Sequence, residues 1–241
     1  MTRVFVEGVH ALGDRVALAS DDARKLVTVL RLESGASIEV IDSSGRAYRA
    51  TIEVRERHVD AILAGVLERG VEALSSIDLV QAIPKGTKME YVVEKATELG
   101  VRRIVPLRSD RVIGERTGER KTERWQRVAK TAAQQCGRTT IPVIEEIGTW
   151  ATVLPRFVDY DRVFLPWELA SARPLRDVFE SLGAMRSALV VIGPEGGFSQ
   201  DEVRAACDAG AQAISLGRRI LRTETAALVT VAALLYARGE L

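Results

Sequence analysis

The sequence predicts an α/β protein in two parts, a β-rich module over residues 1–72 and an α/β domain with a largely parallel sheet over residues 73–241. Three observations carry this. Short apolar runs broken by turn residues fill the first part, apolar strands alternate with helix-period segments from Ile77 onward, and glycine-rich loops follow the later strands.

In the first part, Ile38 to Ile41 and Ala47 to Val54 flank Asp42-Ser43-Ser44-Gly45, turn residues between two apolar runs, which makes a hairpin. Val59 to Val66 adds a strand, and only Asp21 to Leu30 reads as helix. The pattern changes between Arg69 and Ser76 without a low-complexity linker, so the two parts are expected to pack closely.

In the second part, Ile77 to Ile83 reads as a strand. Thr87 and Glu90 are spaced as a capping box for a helix ending at Gly100, and Arg103 to Leu107 returns as the second strand of a βαβ unit. A helix follows at Arg120 to Cys136, with strands at Arg162 to Leu165, Ala188 to Ile192 and Ala213 to Leu216. Ser199 and Glu202 cap a helix that runs to Ala209 and stops at Gly210. The last helix, Thr225 to Ala237, is apolar nearly all round, so it must be buried on several sides, and a subunit interface is one such surface.

Composition narrows the function classes. A hydrophobic content of 46% over 241 residues supports a real core, and no run approaches the roughly 20 apolar residues of a membrane span. Glu7 and Asp14 stand where a signal peptide is apolar, so the expected compartment is the cytoplasm, with no membrane partner. Two cysteines and two histidines give neither a disulfide framework nor a zinc spacing, and no metal is expected. His58 reads as a surface strand residue, and Cys136 as a buried packing thiol rather than a nucleophile.

The net charge of +1 hides a local excess. Between Arg102 and Arg138 stand eleven basic residues against four acidic ones, most of the basic ones arginines, whose forked donors suit phosphate oxygens. A solvated helix face laced with i,i+4 pairs has the same composition, and charge alone favours neither reading.

Three loops after apolar strands form the candidate site, because open α/β sheets bind ligands beyond the carboxyl ends of their strands. They are Leu165-Pro166-Trp167-Glu168, Gly193-Pro194-Glu195-Gly196-Gly197 and the stretch from Leu216 through Gly217, Arg218, Arg219, Ile220, Leu221, Arg222, Thr223 and Glu224 to Thr225. Glycine lets main-chain donors and acceptors reach a nucleoside edge. No G-x-G-x-x-G follows a strand, Pro84 to Lys88 lacks the phosphate-loop frame, and there is no G-x-S-x-G elbow, which disfavours dinucleotide oxidoreductases, P-loop enzymes and serine hydrolases.

Five segments in order resemble one family: Gln81 to Glu90 (QAIPKGTKME), Lys95 to Val101 (KATELGV), Gln134 to Arg138 (QQCGR), Ile192 to Gly197 (IGPEGG) and Leu221 to Thr225 (LRTET). Together they are similar to the RsmE family of 16S ribosomal RNA uracil-N3 methyltransferases, of the SPOUT superfamily. The resemblance implies an N-terminal PUA-like β-barrel, a C-terminal α/β domain with a trefoil knot, a homodimer, S-adenosyl-L-methionine as cofactor, and 16S rRNA in the small ribosomal subunit as substrate. It places the cofactor against Leu165, Gly193, Pro194, Glu195, Gly196, Gly197, Leu216, Gly217, Ile220, Leu221 and Arg222. Arg218 departs from the pattern, standing where the family often has proline. The basic segment from Arg102 to Arg138 would face RNA.

Uracil N3 has no free lone pair until its proton leaves, so a base within hydrogen-bond reach is expected. Glu195, Glu224 and Glu168 are the carboxylate candidates, and Arg111 or Arg222 could stabilise charge on the uracil carbonyl oxygens. The catalytic set implied is Arg111, Arg222 and Glu224. Two alternatives stay open: a related methyltransferase acting on ribose 2′-OH or transfer RNA, and a noncatalytic RNA-binding factor.

Overall fold

The computed structural model describes residues 2–56, 58–68, 71–111, 119–168, 175–180, 182–183 and 185–241. Its contacts divide the chain into two units, residues 1–72 with 133–140, and residues 73–132 with 141–241.

The first unit is built on the expected hairpin. Strands β1 (Arg3–Phe5), β2 (Arg15–Ala17), β3 (Ser37–Ile41), β4 (Ala47–Arg55) and β5 (His58–Leu67) form one sheet in the order β1-β3-β4-β5-β2. All neighbours are antiparallel except β1 and β3. Asp42 holds the β3–β4 turn, its Oδ1 accepting from the backbone N–H of Ser44 (2.9 Å) and of Arg46 (3.1 Å). The two three-residue strands β1 and β2 are too short to show alternation and escape sequence reading. The expected helix is α1 (Ser20–Arg24) continued by a π turn, Lys25–Val29, closed by Leu30 N–H to the Lys25 carbonyl at 2.9 Å. One core gathers Ile38, Val40, Tyr48, Ala50, Ile52 and Leu63 against Leu26.

The second unit carries a parallel sheet in the order β12-β10-β11-β6-β7-β8. Its strands are β6 (Ser76–Ala82), β7 (Arg103–Arg108), β8 (Val143–Ile144), β9 (Gly148–Thr149, paired with β7), β10 (Arg162–Pro166), β11 (Ser187–Ile192) and β12 (Gln212–Ile214). Helices are α2 (Lys88–Glu98), α3 (Glu119–Cys136), α4 (Trp150–Val153) running into a 3-10 turn (Leu154–Asp159), α5 (Leu175–Glu180), α6 (Gln200–Asp208) and α7 (Thr223–Ala237). Alternation along the central strands serves both faces. Ile77, Leu79, Val190 and Ile192 pack with α2 residues Val92 and Val93 and with α7 residues Val231 and Leu234. Val80, Ala82, Leu189 and Val191 pack on the other side with Phe157, Phe198 and Val203.

Two expectations are corrected. Thr87 is the N-cap of α2, but its side chain makes no capping bond, and the Glu90 carboxylate turns away to Arg124 at 3.0 Å, so there is no capping box. The Glu90 N–H is met instead by the Thr87 carbonyl at 3.1 Å. Cys136 is exposed, not a packing thiol, because the last turn of α3 directs it away from the core. The α6 capping box forms as expected, with Ser199 and Glu202 each accepting from the other's backbone N–H. No helix among the described residues is long and apolar enough to cross a membrane.

Candidate active site

Strands β12, β10 and β11 are neighbours, with Pro166 beside Ile214 and Phe164 beside Val190. The loops that follow them therefore leave the same sheet edge. They enclose two adjoining cavities of about 360 and 120 Å³, which share Pro166, Glu168, Ile220, Leu221 and Ala226. The larger is also lined by Gly193 to Phe198, Arg222 and Thr223, and the smaller by Trp167 and Ser215 to Arg219.

Two glycines in this wall are constrained, Gly193 by space and Gly197 by its backbone conformation. A Cβ on Gly193 would come within 3.3 Å of the Phe198 ring. Gly197 has φ +67°, and a Cβ there would run into the Glu168 carboxylate. Phe198 is itself buried and set edge-on to Trp150, with ring centroids 5.1 Å apart, so it has little freedom to yield.

The structure brings most of the sequence-predicted residues together. Gly193, Pro194, Glu195, Gly196, Gly197 and Arg222 line the larger cavity, Leu216 and Gly217 the smaller, and Ile220 and Leu221 both. Ile220 is 85% exposed, an apolar side chain at the mouth. Leu165 is fully buried, and its side chain packs with Val163, Val191 and Val203 rather than lining either cavity, a wall that Pro166 supplies.

Charged groups gather beside the larger cavity. Arg111 Nη1 donates to the Gly196 carbonyl at 2.9 Å. Its neighbour Asp110 is fixed by its N–H to Glu202 Oε1 (2.9 Å), which also accepts from Trp150 Nε1 (2.7 Å). Lys88, at the start of α2, donates to Glu195 Oε1 at 2.8 Å and lies 3.8 Å from Glu224 Oε2. The Lys85 N–H adds a 3.1 Å bond to Glu195 Oε1. Burial works to raise the Glu195 carboxyl pKa, but the Lys88 ammonium and the backbone donors outweigh it and hold the group below the ordinary carboxylate range. Glu224 Oε2 is buried without a hydrogen-bond partner among the described residues.

Sequence reasoning held Trp167 and Thr223 within the candidate loops and Lys88 within a family motif without giving any of them a role, and it did not single out Phe198. Their signals were present but generic, since a lysine in a helical first turn or an aromatic beside a glycine loop is ordinary until the fold sets it against a cavity.

The basic segment divides. Arg102 is bound to Asp78, Arg124 to Glu90 and Arg138 to Glu72, while Arg103 reaches Glu145. Arg108, Arg120, Lys121 and Arg127 make no side-chain ion pair with the described residues, and Glu115 and Arg116 lie outside them. Arg108, Arg127 and Lys130 line a separate groove of about 930 Å³ along α3, floored by Ile141, Ile144 and Ile147.

The RNA methyltransferase domain model matches residues 71–235, the unit that holds both cavities. A ribosomal RNA small subunit methyltransferase E from Synechocystis is 30% identical over 231 residues, covering 95% of this chain and 76% of the relative. The chain belongs to the ribosomal RNA small subunit methyltransferase E family. Its Bacillus subtilis member is 29% identical over 230 residues, covering 91% of this chain and 89% of its own. The solved Neisseria gonorrhoeae member, bound to S-adenosyl methionine, superposes with a TM-score of 0.89 at 30% identity, over 98% of this chain and 97% of that one.

Proposed function

We propose that this member of the family methylates N3 of a specific uridine in the 16S rRNA of the small ribosomal subunit, using S-adenosylmethionine. The observation that carries the reading is the convergence of three strand-end loops on two joined cavities, beside Arg111 and the Lys88, Glu195 and Glu224 cluster. The cavities suit a nucleoside-bearing cofactor. Their size is that of a small-molecule site, and their walls are main chain at Gly193, Gly196 and Gly217, where no side chain blocks backbone donors and acceptors. The Gly193 to Gly197 loop and the Leu216 to Arg222 segment would hold the cofactor, with Leu165 and Pro166 behind them. When bound, it supplies an activated methyl group.

The chain's own residues then orient and ionise the acceptor. Glu195 is already engaged by Lys88 and held ionised, a poor arrangement for collecting a proton. Glu224, whose Oε2 accepts no hydrogen bond among the described residues and meets Lys88 only at 3.8 Å, is the better base for uracil N3–H. Arg222 beside the cavity and Arg111 over the glycine loop are the cations for charge growing on the uracil carbonyl oxygens. The groove carrying Arg108, Arg127 and Lys130 offers phosphate contacts for the RNA strand.

The same reading takes residues 1–72 as a PUA-like RNA-binding barrel and residues 73–241 as a SPOUT domain with a trefoil knot, acting in the cytoplasm as a homodimer. Val229 and Tyr236, 38% and 75% exposed on the apolar α7, support a partner on that helix. Incubation of the purified chain with labelled S-adenosylmethionine and unmodified small subunits, followed by nucleoside analysis, should yield 3-methyluridine. A 2′-O-methyl product, or no transfer, would overturn the assignment.

A further inference from the structure

Every side chain that β6 turns toward α2 and α7 is apolar except the last. Ile77 and Leu79 sit in that core, and Gln81 follows them, fully buried, paired across the sheet with Ile192 just before Gly193. A buried amide is costly unless bonded, and a leucine would fill the place without that cost. Gln81 Nε2 donates to the Ala82 carbonyl (2.8 Å) and to Thr223 Oγ1 (2.9 Å). Thr223 Oγ1 donates in turn to the Gly193 carbonyl (2.5 Å).

The polarity of this chain is fixed. A carbonyl only accepts, so the Ala82 oxygen demands the amide nitrogen rather than the amide oxygen. The Thr223 oxygen therefore receives a proton from Gln81, and its own single proton is left for Gly193. Gly193 opens the glycine loop and Thr223 opens α7, and both line the larger cavity. Three elements distant in sequence are thus tied by two hydrogen bonds through the hydroxyl of Thr223, a residue only 5% exposed.

We propose that Gln81 is a positioning residue for this site: acting through the Thr223 hydroxyl, it fixes the Gly193 carbonyl and so sets the spacing of the two lining segments. Its side chain lines neither cavity. Its effect on ligand rests on the cofactor reading above, while its effect on the loop does not.

The test uses the full-length protein with Thr223→Val, Thr223→Ser, Gln81→Met and the Thr223→Val/Gln81→Met double variant. Amide hydrogen exchange of residues 193–197 without ligand reads the strut directly. Exchange should quicken about tenfold in Thr223→Val and Gln81→Met, stay near wild type in Thr223→Ser, and quicken no further in the double variant, because both changes cut one chain. Calorimetry with S-adenosylmethionine should show affinity falling about tenfold in the same variants, with KM for small subunits changed less than about twofold. Wild-type exchange in Thr223→Val, or equal quickening in Thr223→Ser, would overturn the proposal. Should Gln81→Met not fold, Gln81→Leu and Gln81→Asn are read in its place, and wild-type exchange in a folded variant at this position would overturn the role of Gln81. A wild-type protein that binds no S-adenosylmethionine refutes the cofactor reading, and the exchange experiment still decides the strut.

Discussion

Arg111 reaches over the glycine loop and donates to the Gly196 carbonyl at 2.9 Å. An arginine that holds the loop cannot be removed without loosening it. Arg111→Ala should therefore lower the rate of methyl transfer and also weaken cofactor binding, by about threefold to tenfold, the worth of one hydrogen bond to a charged group that is largely exposed. Steady-state kinetics with calorimetry on the same variant check this. A fall in kcat with unchanged cofactor affinity would mean that the bond to Gly196 contributes nothing to the pocket.

Adjacent glycines should respond differently. A Cβ on Gly196 meets only Arg111 carbons at 3.6 and 3.7 Å, ordinary contact, so Gly196→Val should leave thermal stability nearly unchanged while its branches block the cavity and abolish cofactor binding. At Gly197 a side chain faces both φ +67° and the Glu168 carboxylate, so Gly197→Ala should itself destabilise the fold by about 1 kcal/mol or more. Thermal melts separate the two, and equal melting losses would count against the distinction.

Lys88 and Glu195 give a pH signature. The folded Glu195 carboxyl lies below its unfolded value, so the stability it contributes is present above the unfolded carboxylate pKa and is lost as pH falls through the depressed folded value. Lys88 is shifted up by its bond to Glu195, and its contribution is present below the unfolded lysine value and lost as pH rises through the raised one. Lys88→Met should move the Glu195 midpoint upward. Carbon-detected titration of that carboxyl reads the change, and an unmoved midpoint would show that the backbone donors suffice.

Far from the site, Asp78 is fully buried and accepts from Arg102 Nε (3.0 Å), Arg102 Nη2 (2.9 Å) and the Tyr160 hydroxyl (2.6 Å). Burial first, and then the bond to Asp78, push the Tyr160 phenol up to about 12. Its contribution to stability is whole below the unfolded tyrosine value of about 10 and is lost as pH rises from there through about 12. Tyr160→Phe should flatten that alkaline loss. Asp78→Ala, which strands several donors, should cost about 3 kcal/mol in urea unfolding at neutral pH. A loss under about 1 kcal/mol would show that solvent reaches the freed arginine.

Periodicity in the sequence located the central strands and the longer helices of the second unit, because β6, β10 and β11 are buried and mostly apolar, while Ser199 and Glu202 announce α6 locally; the short helices α4 and α5 were not read. The five motifs determined the family. Elements of two or three residues, β1, β2, β8 and β9, stayed hidden because a period needs more positions than they have. Thr87 to Glu90 had the right spacing for a cap and the wrong outcome, since Arg124 from α3 offered the Glu90 carboxylate a stronger partner than a backbone N–H. Tertiary structure alone decided which side chains meet. Only the strand order β12-β10-β11 places three loops, separated by up to fifty residues, on one cavity, and only packing sets Lys88 on Glu195 and Gln81 behind Thr223. Residue type fixes what a side chain can donate or accept, but long-range hydrogen bonds depend on distances that the local sequence does not encode.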